Sequence, residues 1–137
     1  MFLRLLATAA LIAAPVVSAA QDYSFGAAEY ANSCAQCHGT TGVGDGIIAG
    51  FLDSPPSDLT KLQADNGGVF PVAGIYALID GSAASGVHGS SEMPAWGLRY
   101  SAQAPRQLGE YYVEADREAF VRGRILALVE YISTLQQ

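Results

Sequence analysis

The stretch "SCAQCHG", residues 33–39, contains both cysteines of this 137-residue chain and one of its two histidines. Two thiols separated by two residues have several chemical uses: a redox disulfide, half of a zinc site, a structural disulfide, or thioether bonds to a haem. Each use requires different neighbours in the sequence and a suitable cellular compartment. The surrounding sequence therefore distinguishes among them.

The first 20 residues, "MFLRLLATAALIAAPVVSAA", have the three parts of a secretory signal. Arg4 provides positive charge, an apolar run covers residues 5–17, and small residues occupy 18–20. The run contains Pro15 and is shorter than the roughly 20 apolar residues of a membrane-spanning helix, so cleavage is favoured over a retained anchor. We predict a signal peptide at 1–20 and one domain exported to the periplasm at 21–137.

Acidic residues outnumber basic residues in the chain. There are 13 Asp and Glu against 7 Lys and Arg, and the formal net charge of −6 becomes −7 once Arg4 is removed. This balance argues against nucleic acid as a partner and favours proteins with a basic docking surface. Since no later stretch is long and apolar enough to cross a bilayer, we expect no stable membrane insertion after signal cleavage.

The mature sequence predicts a few helices joined by loops rich in glycine and proline. Residues 24–34 are alanine-rich and lack strand alternation, so they predict a helix leading into the cysteines. A short helix is predicted at 57–66, another ends at Gly81, and a long one with a continuous apolar stripe covers 116–135. Residues 99–114 have no clear pattern and are interpreted as an ordered surface excursion. We expect an all-α domain of three to five helices.

The loops are long relative to the apolar core that these helices can build. Domains of this size with so much irregular chain often depend on a disulfide, a metal or a cofactor. The four glycines of residues 39–46 are reminiscent of a phosphate-binding loop, but no Gly-Lys-Ser/Thr follows them. We therefore expect another group to complete the core.

Cys34, Cys37 and His38 form the Cys-x-x-Cys-His pattern of c-type haem attachment. Two intervening residues on a helical turn place the sulfurs at about the separation of two porphyrin vinyl groups, with His38 beneath the iron. A redox disulfide expects a strand-helix context that the sequence lacks. A zinc site that included His88 would be strained by the adjacent ligands Cys37 and His38. A structural disulfide is a further alternative in an exported protein.

Met93 is the only methionine left if the leader is cleaved, and it precedes Pro94 in a loop 55 residues after His38. Methionine is usually a core filler. In a haem protein, however, a flexible thioether in such a loop can approach the iron from the face opposite the histidine. We predict His38 and Met93 as the axial ligands. His88 is the competing ligand and would give a lower reduction potential.

With "CHG" at 37–39 and "MPAW" at 93–96, the chain resembles the class I c-type cytochromes, specifically the small exported bacterial ones. The resemblance covers most of the mature chain, from about Tyr23 to Leu135. It implies a cytochrome c fold, with helices and long loops packed around one covalently bound haem c.

The resemblance also implies specific helix contacts. In this family a glycine and an aromatic residue of the first helix pack against a leucine and an aromatic residue of the last. The matching residues here are Gly26, Tyr30, Leu128 and Tyr131. A family proline whose carbonyl accepts a hydrogen bond from the ligand histidine corresponds to Pro55 or Pro56.

An iron with both axial positions filled can exchange an electron but has no open site for a substrate. We therefore expect a one-electron carrier rather than an enzyme, whose redox partners dock through weak, electrostatically steered encounters. Trp96 and Tyr100 are expected to pack either on the haem or in the core. One alternative is a haem-bearing subunit of a periplasmic dehydrogenase or oxidase. Another is a haem sensor or peroxidase with an accessible iron, near which His88 or Arg99 would act.

Overall fold

A computed structural model describes residues 24–83 and 93–137. These residues form six α-helices and two short 3-10 turns, and they include no strand. The helices are α1 (Ser24–Ser33), α2 (Ala35–His38), α3 (Leu62–Asp65), α4 (Val72–Asp80), α5 (Trp96–Leu108) and α6 (Glu114–Thr134), and the 3-10 turns are Ala49–Phe51 and Leu59–Lys61. The all-α class is confirmed, with one helix more than the predicted maximum.

Helix α6 is the centre of the fold and packs against α1, α4 and α5. Its buried side chains recur at helical spacing and are Ile125, Leu128, Val129 and Ile132. They belong to the apolar stripe that the sequence predicts for the last helix. Burial of such a stripe, more than intrinsic helix propensity, is what stabilises a helix within a domain.

Helix α1 approaches α6 closely because Gly26 has no side chain. A Cβ at position 26 would lie 2.4 Å from the carbonyl oxygen of Ala127. One turn later, Tyr30 is 1% exposed and its ring centroid lies 5.1 Å from that of Tyr131. The predicted pairing of the first and last helices is confirmed for Gly26, Tyr30 and Tyr131, and Leu128 is buried in the same core.

Helix α4 ends at the glycine that the sequence marks as its stop. Gly81 has a φ of +89° and donates its N–H to the carbonyl of Ala77 at 3.1 Å. This left-handed conformation is one that glycine adopts without a steric penalty. The helix predicted at 57–66 is shorter than expected and consists of the 3-10 turn at Leu59–Lys61 followed by α3.

The interpretation of residues 99–114 as an ordered surface excursion is wrong for the first ten residues, which lie in helix α5 and include the buried Tyr100 and Ala104. The buried residues Trp96, Tyr100 and Ala104 recur every four positions along this helix. Pro105 obscured the pattern. It lies in the last turn of α5, where it cannot donate to the carbonyl of Ser101, and the helix ends three residues later at Leu108.

The predicted signal peptide at 1–20 lies outside the described residues. Within 24–83 and 93–137, no helix has both the length and the apolar character that crossing a bilayer requires.

Candidate functional site

A cleft of about 300 Å³ lies beside α2. It is bounded by α2, by the segment 52–57, by Leu78 of α4 and by the segment that leads into α5. Its lining includes all four residues that the sequence predicts for the site, which are Cys34, Cys37, His38 and Met93. Segments far apart in the sequence thus contribute to one cleft, as the haem hypothesis requires.

The attachment motif occupies a single turn of helix. The N–H of Cys37 and that of His38 both donate to the carbonyl of Cys34, at 3.1 and 2.9 Å. Residues three apart lie on one face of a helix, so both sulfurs face the same side of this turn. The two cysteines are not joined in a disulfide.

The two thiols differ in their surroundings. Cys34 is 5% exposed, whereas Cys37 is half-buried. Burial, with a smaller contribution from the nearby Glu29 carboxylate, raises the pKa of the Cys34 thiol to about 12. A redox-active cysteine needs a lowered pKa, because the thiolate is the reactive form. The environment of Cys34 therefore disfavours the redox-disulfide alternative.

His38 is oriented by a hydrogen bond to the backbone. Its Nδ1 lies 3.0 Å from the carbonyl oxygen of Ser57. A carbonyl oxygen can only accept, so Nδ1 carries the proton and Nε2 of the neutral ring keeps its lone pair. Such a second hydrogen bond is what fixes the orientation of a metal-ligating histidine. The imidazole is therefore in the tautomer that an iron ligand needs.

The acceptor of this hydrogen bond differs from the one that the family resemblance implies. Pro55 and Pro56 both line the cleft, but the carbonyl that meets His38 belongs to Ser57. Two residues after Ser57, the N–H of Leu59 donates to the carbonyl of Gly42 at 2.7 Å, which ties this segment to the loop after α2.

Gly44 allows the segment that carries Ser57 to approach α2. Its N–H donates to the carbonyl of His38 at 2.9 Å, and its φ is +87°. A Cβ at this position would lie 2.5 Å from the carbonyl oxygen of Pro56. A glycine is therefore needed here both for its conformation and for the space that it leaves open.

Met93 and Trp96 form another part of the cleft wall. Met93 is half-buried and packs against the core, and Trp96 is 6% exposed. Tyr100, in contrast, is 1% exposed and does not line the cleft, so it belongs to the core. Arg99 is exposed, with its guanidinium 4.8 Å from the centroid of the Trp96 ring, and it does not line the cleft either. The competing residue His88 lies outside the described residues.

Sequence reasoning missed a polar network next to the cleft. One carboxylate oxygen of Glu29 accepts hydrogen bonds from the hydroxyl of Ser33 at 3.1 Å and from that of Tyr100 at 2.9 Å. The other oxygen pairs with the guanidinium of Arg124. Ser33 also lines the cleft, so the network connects the cleft wall to α5 and α6. The only sequence signal for this contact is the four-residue spacing of Trp96, Tyr100 and Ala104, which places Tyr100 on the buried face of α5.

Aromatic rings surround the cation of this network. The Arg124 guanidinium carbon lies 4.8 Å from the ring centroid of Phe120 and 5.5 Å from those of Phe25 and Tyr100. Its Nε is buried without a hydrogen-bond partner. The pairing with Glu29 and the contacts with aromatic faces together compensate for the partial burial of this charge.

In the part of the chain that the structure describes, no three side chains of His, Cys, Asp or Glu converge on a common point. The zinc alternative also requires His88, which lies outside that part. The donor set of the cleft, with two thiols, an imidazole and a thioether, matches the chemistry of a covalent haem and its axial ligands.

Comparison with known families gives one match. Residues 21–111 match the family described as cytochrome C oxidase, cbb3-type, subunit III. The match contains every residue that lines the cleft and extends past the end of α5. No match to the chain was found among curated proteins or among solved structures.

Proposed function

The chain belongs to the family described as cytochrome C oxidase, cbb3-type, subunit III, and from this premise we propose that it is an exported one-electron carrier with His/Met-ligated iron. Members of this family bind covalent haem c and take part in electron transport, so the chain is a c-type cytochrome. The proposal adds the residues that hold the haem, the ligand set and the location.

The main support for the proposal is that four donor side chains line the same cleft. Cys34 and Cys37 would hold the haem through thioether bonds, and His38 would ligate the iron through Nε2. The Ser57 carbonyl keeps the imidazole in the required tautomer and orientation. When bound, haem c supplies a one-electron ferric/ferrous couple.

Met93 would be the second axial ligand. It lines the same cleft as His38, and thioether ligation raises the reduction potential relative to a second imidazole. Trp96, three residues later, excludes water from this side of the cleft because it is a large side chain that is 6% exposed. With both axial positions filled, the iron has no open position for oxygen or peroxide, which favours a carrier over an enzyme.

A second candidate follows from the family description, which names an oxidase subunit. In that case the chain would perform the same electron transfer as part of a complex instead of diffusing. Affinity isolation of the tagged protein in mild detergent distinguishes the two. A diffusing carrier is recovered alone, whereas a subunit is recovered with the other chains of its oxidase in equal amounts.

Substitution of Met93 tests the proposed carrier. The wild-type ferric protein should show the weak far-red charge-transfer band of a sulfur ligand, and the reduced protein should bind carbon monoxide poorly. Met93→Ala should lose the band, bind carbon monoxide readily and have a lower potential. His88→Ala is the control and should leave all three properties nearly unchanged. If the wild type instead lacks the band, and His88→Ala is the variant that binds carbon monoxide readily, the ligand set is bis-histidine. Rapid carbon monoxide binding by the wild type would instead favour a sensor or peroxidase.

A further inference from the structure

Two large apolar side chains stand almost fully in solvent just after the attachment motif. Ile47 is 83% exposed and Phe51 is 87% exposed. Val43, which precedes them in the same loop, is 41% exposed. Neither Ile47 nor Phe51 lines the cleft, although Leu52 does. Exposed large apolar side chains that lie close together in the sequence, beside a functional cleft, are typical of an interaction surface.

The backbone fixes these side chains relative to α2. The N–H of Gly46 donates to the carbonyl of Cys37, and the N–H of Ile48 donates to the carbonyl of Gln36, both at 3.0 Å. The N–H of Phe51 then donates to the carbonyl of Ile48, also at 3.0 Å. Ile47 and Phe51 are therefore held next to the Cys37 side of the motif instead of projecting from an unattached loop.

Charge is distributed unevenly around this loop. Residues 24–60 contain four acidic residues and no lysine or arginine. Glu29 binds Arg124, and Asp58 binds Lys61. Asp45 and Asp53 are exposed and flank the loop that bears Ile47 and Phe51.

Residues 93–137 have no such excess of acidic charge. They contain five arginines, at positions 99, 106, 117, 122 and 124, and five acidic residues, at positions 110, 114, 116, 118 and 130. This uneven formal charge would favour the approach of a positively charged protein to residues 24–60.

We propose that Ile47 and Phe51, flanked by Asp45 and Asp53, form the surface on which a redox partner docks, here called the 45–53 surface. The matching partner is a protein whose own redox centre is surrounded by an apolar patch with lysine or arginine at its border. Electron transfer suits a small surface of this kind, because short-lived encounters bury little area and depend on charge for orientation. The proposal rests on the proposed electron-transfer function and adds where the partner binds.

The test measures electron exchange between the holoprotein and a lysine-rich c-type cytochrome of positive net charge, by stopped-flow absorbance over a range of ionic strength. The wild-type rate should fall steeply as salt is added. Ile47→Ser with Phe51→Ser should lower the second-order rate constant on the order of tenfold, mainly by weakening the encounter complex. Asp45→Asn with Asp53→Asn should lower the rate at low salt and flatten its salt dependence.

A matched control changes apolar residues that are also exposed but are distant from the motif in sequence. Tyr111 is 97% exposed and Val113 is 61% exposed, and neither lines the cleft. Tyr111→Ser with Val113→Ser should leave the rate within about twofold of the wild type. An equal loss of rate in this control would overturn the proposal, as would a wild-type rate that does not depend on salt.

Two further measurements separate this proposal from the proposed function. The haem spectrum and the rate with a small uncharged reductant should be the same in the wild type and the Ile47→Ser/Phe51→Ser variant. A changed spectrum would show that these side chains pack on the haem and not on a partner, which overturns the docking proposal alone. A wild type that exchanges no electron even with the small reductant contradicts the proposed function itself.

Discussion

Glu29 on α1 and Arg124 on α6 form an ion pair across 95 positions of the sequence. Their side chains are only 11% and 17% exposed. Since Ser33 and Tyr100 donate to the same carboxylate, this contact joins three helices beside the cleft. The first prediction concerns this pair.

Arg124→Met should lower the free energy of unfolding by about 3 kcal/mol, because it leaves the Glu29 carboxylate partly buried without its cation. Adding Glu29→Gln should recover most of that loss, since the amide is neutral and its oxygen still accepts from Ser33 and Tyr100. Denaturant unfolding followed by circular dichroism measures both effects. Arg122→Met, at an exposed position of the same helix, is the control. Equal losses from the two arginine variants would mean that the ion pair contributes little.

The close approach of α1 and α6 predicts opposite effects for two similar substitutions. Gly26→Ala should destabilise the protein by about 1–3 kcal/mol, because the added methyl group would overlap the Ala127 carbonyl. Gly123→Ala on α6 should stabilise it by up to about 1 kcal/mol, since nothing lies within 4 Å of the added Cβ. Thermal and denaturant unfolding report both values. If Gly26→Ala raised the free energy of unfolding, α1 and α6 would be able to move apart without loss of stability, which contradicts the prediction.

The hydrogen bond from His38 to Ser57 should influence the reduction potential. Gly44→Ala would push the Pro56 carbonyl, and with it Ser57, away from His38. A weakened hydrogen bond makes the imidazole a poorer electron donor to the iron, so the potential should rise. Gly68→Ala is the control, because Gly68 has almost the same φ, +86° against +87°, but open space around it.

Both glycine variants should lose stability, by about 1–2 kcal/mol for the unfavourable backbone conformation. Only Gly44→Ala should shift the potential, as measured by redox titration. A similar shift in Gly68→Ala would assign the effect to general destabilisation and not to His38.

Asp58 predicts a specific dependence of stability on pH. Hydrogen bonds from the Thr60 hydroxyl and amide, assisted by Lys61, hold the pKa of the Asp58 carboxyl below its ordinary value of 3.8. A lowered folded-state pKa means that the ionised form stabilises the fold. This contribution is complete above the unfolded pKa and is lost as the pH falls through the folded one.

The difference in unfolding free energy between wild type and Asp58→Asn should therefore be constant near neutral pH and shrink below about pH 4. The fluorescence of Trp96, the only tryptophan in the sequence and 6% exposed in the folded protein, follows unfolding as the side chain becomes exposed to water. A difference that grows on acidification would contradict the assigned hydrogen bonds.

Covalent attachment predicts the behaviour of haem under denaturing extraction. The wild-type polypeptide should retain its haem in acidified organic solvent, and Cys34→Ala with Cys37→Ala should release it. Ser33→Ala, which alters the same cleft wall without removing a thiol, should retain it. The absorbance of the protein fraction after extraction measures retention. Free extraction from the wild type would exclude thioether bonds.

Features that depend on neighbouring residues could be predicted from the sequence. Cys34, Cys37 and His38 lie within one helical turn, and the stripe of α6 recurs at a regular period, so both were recognised without the structure. Helix α5 was missed because Gly97 and Pro105 interrupt a pattern that is otherwise regular.

Features that depend on the path of the chain could not be predicted. The ion pair of Glu29 joins residues that no local pattern connects. The choice of Ser57 over Pro55 or Pro56 as the acceptor for His38 depends on how closely the backbone passes Gly44. Neither contact is encoded by spacing alone, since each follows from the tertiary packing of distant segments.

The packing of α1 on α6 has a consequence for the order of events during biogenesis. A chain delivered across a membrane from its N-terminus presents residues 34–38 long before residues 114–134. Until α6 docks, Cys34 lacks the core around it, and its thiol is accessible and free to ionise. Once the core has closed, the thiol is 5% exposed and burial raises its pKa to about 12, so the reactive thiolate is disfavoured. Attachment of haem to Cys34, as we propose, would therefore take place before the last helix docks.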